Sequence, residues 1–416
     1  MKKEYSISIY HDTRRIKKNG KYPVKLRVYS SNPRRQKFLP TVFELTETEF
    51  ENTWLSKKPR KEFKGLRLKL QGLENTANSV AETLTPFSIN ELVKRLYRNK
   101  SDGVKVNYHY KEYIQKLNKE DRLGTADSYK YSEKAIKGYL KSYKKTNYNN
   151  LTFFDIDKDW LTDFEQCLTK KGLSITTIGI YLKALRAIFN KAISENEIDE
   201  GIYPFGKRKY QIPSSKGTKK ALGTKQLKLL FDAKPMNKQQ IIAKDFWFFS
   251  YSCNGMNIKD VALLKFKDID EETIRFYRAK TRFTSKTDLK LITVYQNNYT
   301  NEFIEKYSNK DKSSENYVFK VLSNSMSSKE QRAKIKNFTR FVNQHIKKLA
   351  ESVGLSGEIS TYWARHSFAT TSIRKGASME LMQESLGHKD LKTTQSYFDG
   401  FEDETKKELA NKIMDF

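Results

Sequence analysis

Cysteine is almost missing from this chain: Cys167 and Cys253 stand far apart, without the spacing of a metal site. Neither a disulfide framework nor a zinc site is indicated, and a reducing compartment fits. Long apolar runs are missing too. Nothing approaches the ~18 apolar residues of a membrane span, and the opening MKKEYSISIYHDTRR lacks the apolar core of a signal peptide, so the expected location is cytoplasmic. Acidic residues are scarce, with 49 Asp plus Glu against 79 Lys plus Arg and a net charge of +30. The basic residues run along the whole length, which favours a long polyanion, nucleic acid, as partner. A glycine-rich phosphate loop and a carboxylate cluster suited to magnesium are both absent, so no cofactor and no metal are expected.

What is present concentrates between Thr361 and Gly400, TYWARHSFATTSIRKGASMELMQESLGHKDLKTTQSYFDG. Arg365 supplies a planar fork of donors matched to two phosphate oxygens, His388 adds a donor, and Tyr397 after a Thr-Thr pair is a candidate nucleophile. That set suits phosphoryl transfer onto a side chain. The plainer alternative is a helical core in which Leu386 and Phe368 are buried and Tyr397 is an ordinary aromatic.

R-H-S-F-A-T at 365–370, L-G-H-K-D at 386–390 and T-T-x-x-Y at 393–397, in that order, resemble the catalytic C-terminus of the tyrosine recombinases, the phage integrase family. A chain of 416 residues should divide into two or three domains. The resemblance implies a multidomain α+β protein. Residues 1–100 would be a small β-sheet plus helix that binds arm-type DNA, 101–203 a helical core-binding (SAM-like) domain, 204–220 a basic interdomain linker, and 221–416 a mainly α catalytic domain with a β-hairpin and a tail helix.

Residues alone support much of this division. Strand-like alternation over 4–10, 22–30 and 37–45, with a turn at Asn19-Gly20, predicts a three-stranded sheet displaying Arg14, Arg15, Lys17, Lys18, Lys25, Arg27, Arg34 and Arg35. A helix follows from Lys64, and Ser88 with Glu91 caps another. In the family such a sheet enters the major groove. The polar break at 99–103 ends this region. Beyond it, helices are predicted over 108–120, 127–143 with Thr125 near the cap, 158–170, and from Ser174, where Ile175, Ile178, Leu182, Leu185, Ile188 and Phe189 share one face. Lysines and arginines on the other faces would lie against the duplex backbone.

The catalytic part departs from the family's pattern twice. Where Gly-x-Arg is usual, the chain reads Gly255-Met256-Asn257, so the first catalytic arginine is Asn257; Asp260 holds the family's acidic place. Lys280, in an A-K-T context, resembles the hairpin lysine that protonates the leaving 5′ oxygen. Arg278, two residues earlier, would share its face on a strand and return the missing charge to the phosphate, with Arg282 in reserve. In the second cluster His-x-x-Arg has become Tyr362-Trp363-Ala364-Arg365. A phenol is a poor base at neutral pH, so Tyr362 is expected to position a phosphate oxygen. His366 is expected to point away and be structural.

The resemblance then implies attack by Tyr397, a 3′-phosphotyrosine, and reversal by a 5′ hydroxyl with no ATP or metal. Expected partners are double-stranded DNA at core and arm sites, a homotetramer of this chain on DNA, and a host DNA-bending protein, with the protein at the bacterial nucleoid. The Gly-Met-Asn variation looks like integrases and invertases of Bacteroidetes-type elements. An integrase of a mobile element is the leading reading; a chromosomal invertase and a DNA-binding relative impaired by Asn257 and Tyr362 are its rivals. Phe401, Leu409, Ile413 and Met414 give the tail an apolar face, free to dock on a neighbouring protomer or fold back.

Overall fold

A computed structural model describes residues 4–98, 100–215, 220–281, 289–355, 357–398, 400–401 and 403–413, in two compact units divided between Ser215 and Lys216. In the first unit β1 (Tyr5–His11), β2 (Tyr22–Ser31) and β3 (Arg34–Leu45) form an antiparallel sheet in that order. Register sets Ile7 opposite Val28 and Ile9 opposite Leu26. Alternation therefore sends Ile7, Ile9, Val24, Leu26, Val28 and Leu39 to the buried face. The basic residues divide. Asp12, itself buried, takes both Arg14 and Lys25 at 2.6 Å, and Glu44 pairs with Lys17, so those three charges are partly neutralised within the sheet. Arg15, Lys18, Arg27, Arg34 and Arg35 stay exposed.

Beyond the sheet, α1 (Glu47–Phe50) continues as a π-helical turn, Glu51–Leu55. This turn is not among the expected elements, although Thr46 and Glu49 form a full capping box. α2 (Lys61–Glu82) lays Leu70, Ala77 and Ala81 on the sheet's apolar cluster, and α3 (Ile89–Leu96) starts at Ser88, whose hydroxyl accepts the Glu91 N–H.

The remaining helices of this unit surround a second cluster: α4 (Val106–Lys119), α5 (Leu123–Tyr139), α6 (Lys158–Lys170) and α7 (Ile175–Ser194). α5 begins four residues before the expected Asp127, so Thr125 lies inside its first turn rather than near its cap. On α7, Ile178, Leu182, Leu185, Ile188 and Phe189 are buried as the periodicity requires. Ile175 is 52% exposed instead, because the first helical residue overhangs the end of the core. Phe205 and Tyr210, from the stretch read as linker, are buried in the same cluster. Glu197, with its side chain only 7% exposed, stands 3.4 Å from Arg95 and 2.5 Å from Arg98, tying α3 to the turn after α7.

The second unit contains α8 (Thr224–Asp232), α9 (Lys238–Ser252), α10 (Ile258–Leu263), the antiparallel pair β4 (Thr273–Tyr277) and β5 (Leu291–Tyr295), and α11 (Asn298–Tyr307). α12 (Ser328–Ser352), α13 (Thr361–Arg374), α14 (Met379–Leu386), α15 (Leu391–Gln395) and α16 (Asp403–Lys412) follow. α9 is the central helix, with Ala243, Phe246, Trp247, Phe248 and Phe249 buried on successive faces. α11 and α12, on which sequence analysis is silent, close its core with Phe303, Val342, Ile346 and Leu349. In the tail Phe401, Leu409 and Ile413 are exposed, and Met414 lies outside the described residues. No described helix is long and apolar enough to cross a membrane.

Candidate active site

The site is built on α13, and long-range hydrogen bonds fix where that helix starts. Trp247 Nε1 donates to the Ser360 carbonyl at 3.0 Å, the Thr361 N–H donates to Asn343 Oδ1 at 2.7 Å, and the Leu222 N–H donates to Ser367 Oγ at 2.9 Å. Tyr362, Arg365 and His366, spaced i, i+3 and i+4, therefore project from one face.

Arg365 is 2% exposed. Its Nη1 donates to the Gly255 carbonyl at 3.1 Å, and its Nη2 to the Leu386 carbonyl at 2.6 Å. Gly255 has φ +64°, and a Cβ there would lie 2.6 Å from the Arg365 Cα, so only glycine permits this approach. Arg278, 7% exposed, donates Nη1 to the same Leu386 carbonyl at 3.3 Å. The Nε–H groups of both arginines are buried without a partner. Among the described residues neither forms an ion pair with a carboxylate. Burial first, and the Arg278 charge second, push the Arg365 guanidinium down to about 10.

His388, 4% exposed, follows Gly387, which ends α14 at φ +62°. Its Nε2 lies 3.1 Å from Arg365 Nη2 and its Nδ1 3.0 Å from Thr394 Oγ1. A guanidinium only donates, so Nε2 must accept, and the imidazole is neutral with its proton on Nδ1. Burial and the charges of Arg365, Arg278 and Lys280 push its pKa down to about 3, in agreement. In this state His388 receives a hydrogen bond from Arg365 instead of donating to a phosphate, the role expected of it.

Tyr397 sits just after α15. Its carbonyl accepts from Thr370 Oγ1 at 3.1 Å, and its hydroxyl lies 2.8 Å from the Tyr362 hydroxyl. The Arg365 guanidinium carbon is 5.5 Å from its ring centroid, and the His388 ring 5.0 Å. Tyr397 is 7% exposed and shares a small apolar cluster with Ala369 and Leu386, so the candidate nucleophile also holds the core position of the plainer alternative.

Several expectations change. Tyr362 meets the Tyr397 hydroxyl, not an open phosphate position, because one turn of α13 points it there; burial and Tyr397 raise its pKa further. His366 does not point away: its ring stacks on Tyr397 at 4.3 Å. Arg278 and Lys280 do not share a strand face, since β4 stops at Tyr277 and a turn follows, leaving Arg278 buried and Lys280 exposed. Lys280 remains close enough to lower the His388 pKa. Asp260, 5% exposed, accepts the Ala279 N–H at 2.9 Å and so anchors that turn; burial raises its pKa. Asn257 is half-buried at the start of α10, where its side chain makes no capping hydrogen bond. Arg282 lies outside the described residues. Lys290, which the sequence did not single out, donates to the His388 carbonyl at 3.2 Å.

Chemically, two buried cations with orphaned donors beside a phenol hydroxyl form a receptor for a phosphodiester. Residues 105–212 match the Phage integrase SAM-like domain and residues 220–404 the Phage integrase family. The chain is 22% identical over 287 residues to the tyrosine recombinase XerC of Listeria monocytogenes, covering 66% of this chain and 86% of that protein. Against XerC of Pediococcus pentosaceus it is 25% identical over 286 residues, covering 64% and 87%. The solved Tn1549 transposon integrase, in complex with a circular intermediate DNA, aligns with a TM-score of 0.50 at 14% identity over 74% of this chain and 99% of that one. At that identity the likeness is one of fold.

Proposed function

The chain belongs to the phage integrase family of tyrosine recombinases, site-specific enzymes of DNA strand cleavage and rejoining, and on that footing we propose that it is the integrase of a mobile element acting through a 3′-phosphotyrosine at Tyr397. The observation that carries the site assignment is the pair of buried guanidiniums, Arg278 and Arg365, on one carbonyl beside Tyr397. Like charges a few ångströms apart repel by roughly 3 kcal/mol at an effective dielectric near 20. An arriving phosphate relieves that repulsion, and the gain grows as negative charge builds in the transition state.

In the proposed reaction the Tyr397 oxygen attacks phosphorus in line, its proton passes by way of the hydrogen-bonded, solvent-exposed Tyr362 hydroxyl to water, and the P–O5′ bond breaks. Arg365 and Arg278 hold the non-bridging oxygens, so Arg278 supplies the charge that Asn257 lacks. Tyr362 is hydrogen-bonded to the attacking hydroxyl and takes part in placing it. Lys280, exposed on its turn, protonates the leaving 5′ oxygen, and Asp260 holds that turn. His388 keeps Arg365 aimed and gains donor capacity once phosphate charge offsets the guanidiniums. One phosphodiester replaces another, so a 5′ hydroxyl from a partner strand reverses the step.

The integrase reading is supported by the exposed basic residues of the N-terminal sheet and its first loop, Arg15, Lys18, Arg27, Arg34 and Arg35, ahead of the segments that match the recombinase families. Residues 1–100 would hold arm DNA, 101–203 core DNA, and 221–416 the scissile phosphate, with four copies of the chain on the synapsed sites. A nicked suicide substrate should trap a covalent protein–DNA adduct that vanishes in Tyr397→Phe. Recombination between an element-end pair and a separate target supports the integrase; activity confined to a single chromosomal site or to inverted repeats overturns that assignment in favour of a chromosomal role.

A further inference from the structure

We propose that His366 is a positioning residue for the nucleophile, its imidazole stacked on the Tyr397 ring so that the phenol oxygen is aimed before DNA arrives. The proposal rests on Tyr397 being the nucleophile. α15, which delivers Tyr397, has only five residues, too few to hold a side chain by its own stability. Tertiary contacts must do it. The His366 and Tyr397 rings lie 4.3 Å apart at 23°, the most nearly parallel ring contact of Tyr397 among the described residues, while His388 is tilted at 34°. His366 is itself set by Tyr362, whose ring packs edge-on against it at 4.7 Å and 73°. Tyr362 then reaches past it to the Tyr397 hydroxyl at 2.8 Å.

Tyr362 and His366, one turn apart on α13, thus hold the phenol by its oxygen and by its face. The same helix carries Arg365, so the aim of the nucleophile and the hold on the phosphate are set by one rigid element. Misplacement of a reacting atom by about 1 Å can slow a reaction on the order of a hundredfold. A flat ring is what position 366 must supply.

The test compares His366→Gln, which fills the space without a ring, with His366→Phe, which keeps the ring without nitrogens. Single-turnover cleavage of a nicked suicide substrate at saturating protein is measured together with DNA affinity and the unfolding midpoint. We expect Gln to slow cleavage about tenfold or more with affinity and midpoint unchanged, and Phe to recover most of that rate. The proposal is overturned if Gln cleaves at the wild-type rate, if Phe is as slow as Gln, or if the rate falls only in step with affinity or midpoint. A Tyr397→Phe control separates the two readings. If it still forms the adduct, or if the wild type forms none, the nucleophile assignment has failed rather than the stack.

Discussion

Arg278 and Arg365 donate to the same oxygen, the carbonyl of Leu386, at 3.3 and 2.6 Å. No carboxylate among the described residues is in ion-pair contact with either, although buried Asp260 attracts both from farther off, so the DNA-free protein holds two cations close together against their mutual repulsion. The site trades stability for affinity toward an anion.

Replacing Arg278 should separate those two quantities. Arg278→Met is expected to slow cleavage of a suicide substrate about a hundredfold or more, the usual effect of removing one transition-state donor. The same change should raise the unfolding free energy of the DNA-free protein by about 1 kcal/mol, because a buried like-charge contact disappears. Wild-type cleavage by the variant would return Arg278 to an ordinary basic residue. Urea unfolding checks the second half.

Gly255→Ala tests the close approach to Arg365. The new Cβ would occupy a backbone conformation at φ +64° and come within 2.6 Å of the Arg365 Cα. The left-handed conformation alone costs about 1–2 kcal/mol, and displacement of α13 adds to it. A lowered unfolding midpoint with a larger proportional loss of cleavage is expected; a variant as stable and as active as wild type refutes the constraint.

His388 gives a signed pH dependence. Its imidazole is neutral in the fold down to about pH 3, whereas in the unfolded chain it protonates below its ordinary value near 6.5. Between those values the unfolded state binds more protons, so stability rises with pH through the window and the gain is complete above it. The slope from this group is at most about 1.4 kcal/mol per pH unit. Buried His109, also shifted down, adds with the same sign, while Asp260, shifted up, opposes it. His388→Asn should flatten the curve between pH 4 and 6; an unchanged slope would contradict the neutral assignment.

Glu197 is the shared carboxylate of Arg95 and Arg98. Removing one member of a buried ionic group typically costs about 3–5 kcal/mol because the remaining charge is stranded. Glu197→Ala should therefore lower stability and speed hydrogen exchange at α3 and the end of α7. Catalysis on pre-bound core DNA should respond far less than Arg278→Met does.

The local parts of the fold were readable from residues alone. Strand alternation gave the sheet, and α6 runs over Lys158–Lys170 as its pattern predicts, because both are set by neighbours a few positions away. α12 carries the same local signals, since Ser327 and Glu330 cap it in full and Ile335, Val342, Ile346 and Leu349 recur at helical spacing.

What the sequence by itself determined is the chemistry on offer: the order of Arg365, His388 and Tyr397 resembles the tyrosine recombinases, and the excess of positive charge favours a polyanion. Only the tertiary structure decided how those groups are used. Arg278 meets the Leu386 carbonyl across 108 positions, and Arg365 meets Gly255 across 110. His366 lies on the Tyr397 ring because the residue just after α15 packs against α13, and His388 accepts rather than donates because Arg365 is there first. Such contacts join side chains that no periodicity relates, and burial, by removing water as the competing partner, fixes which of them form.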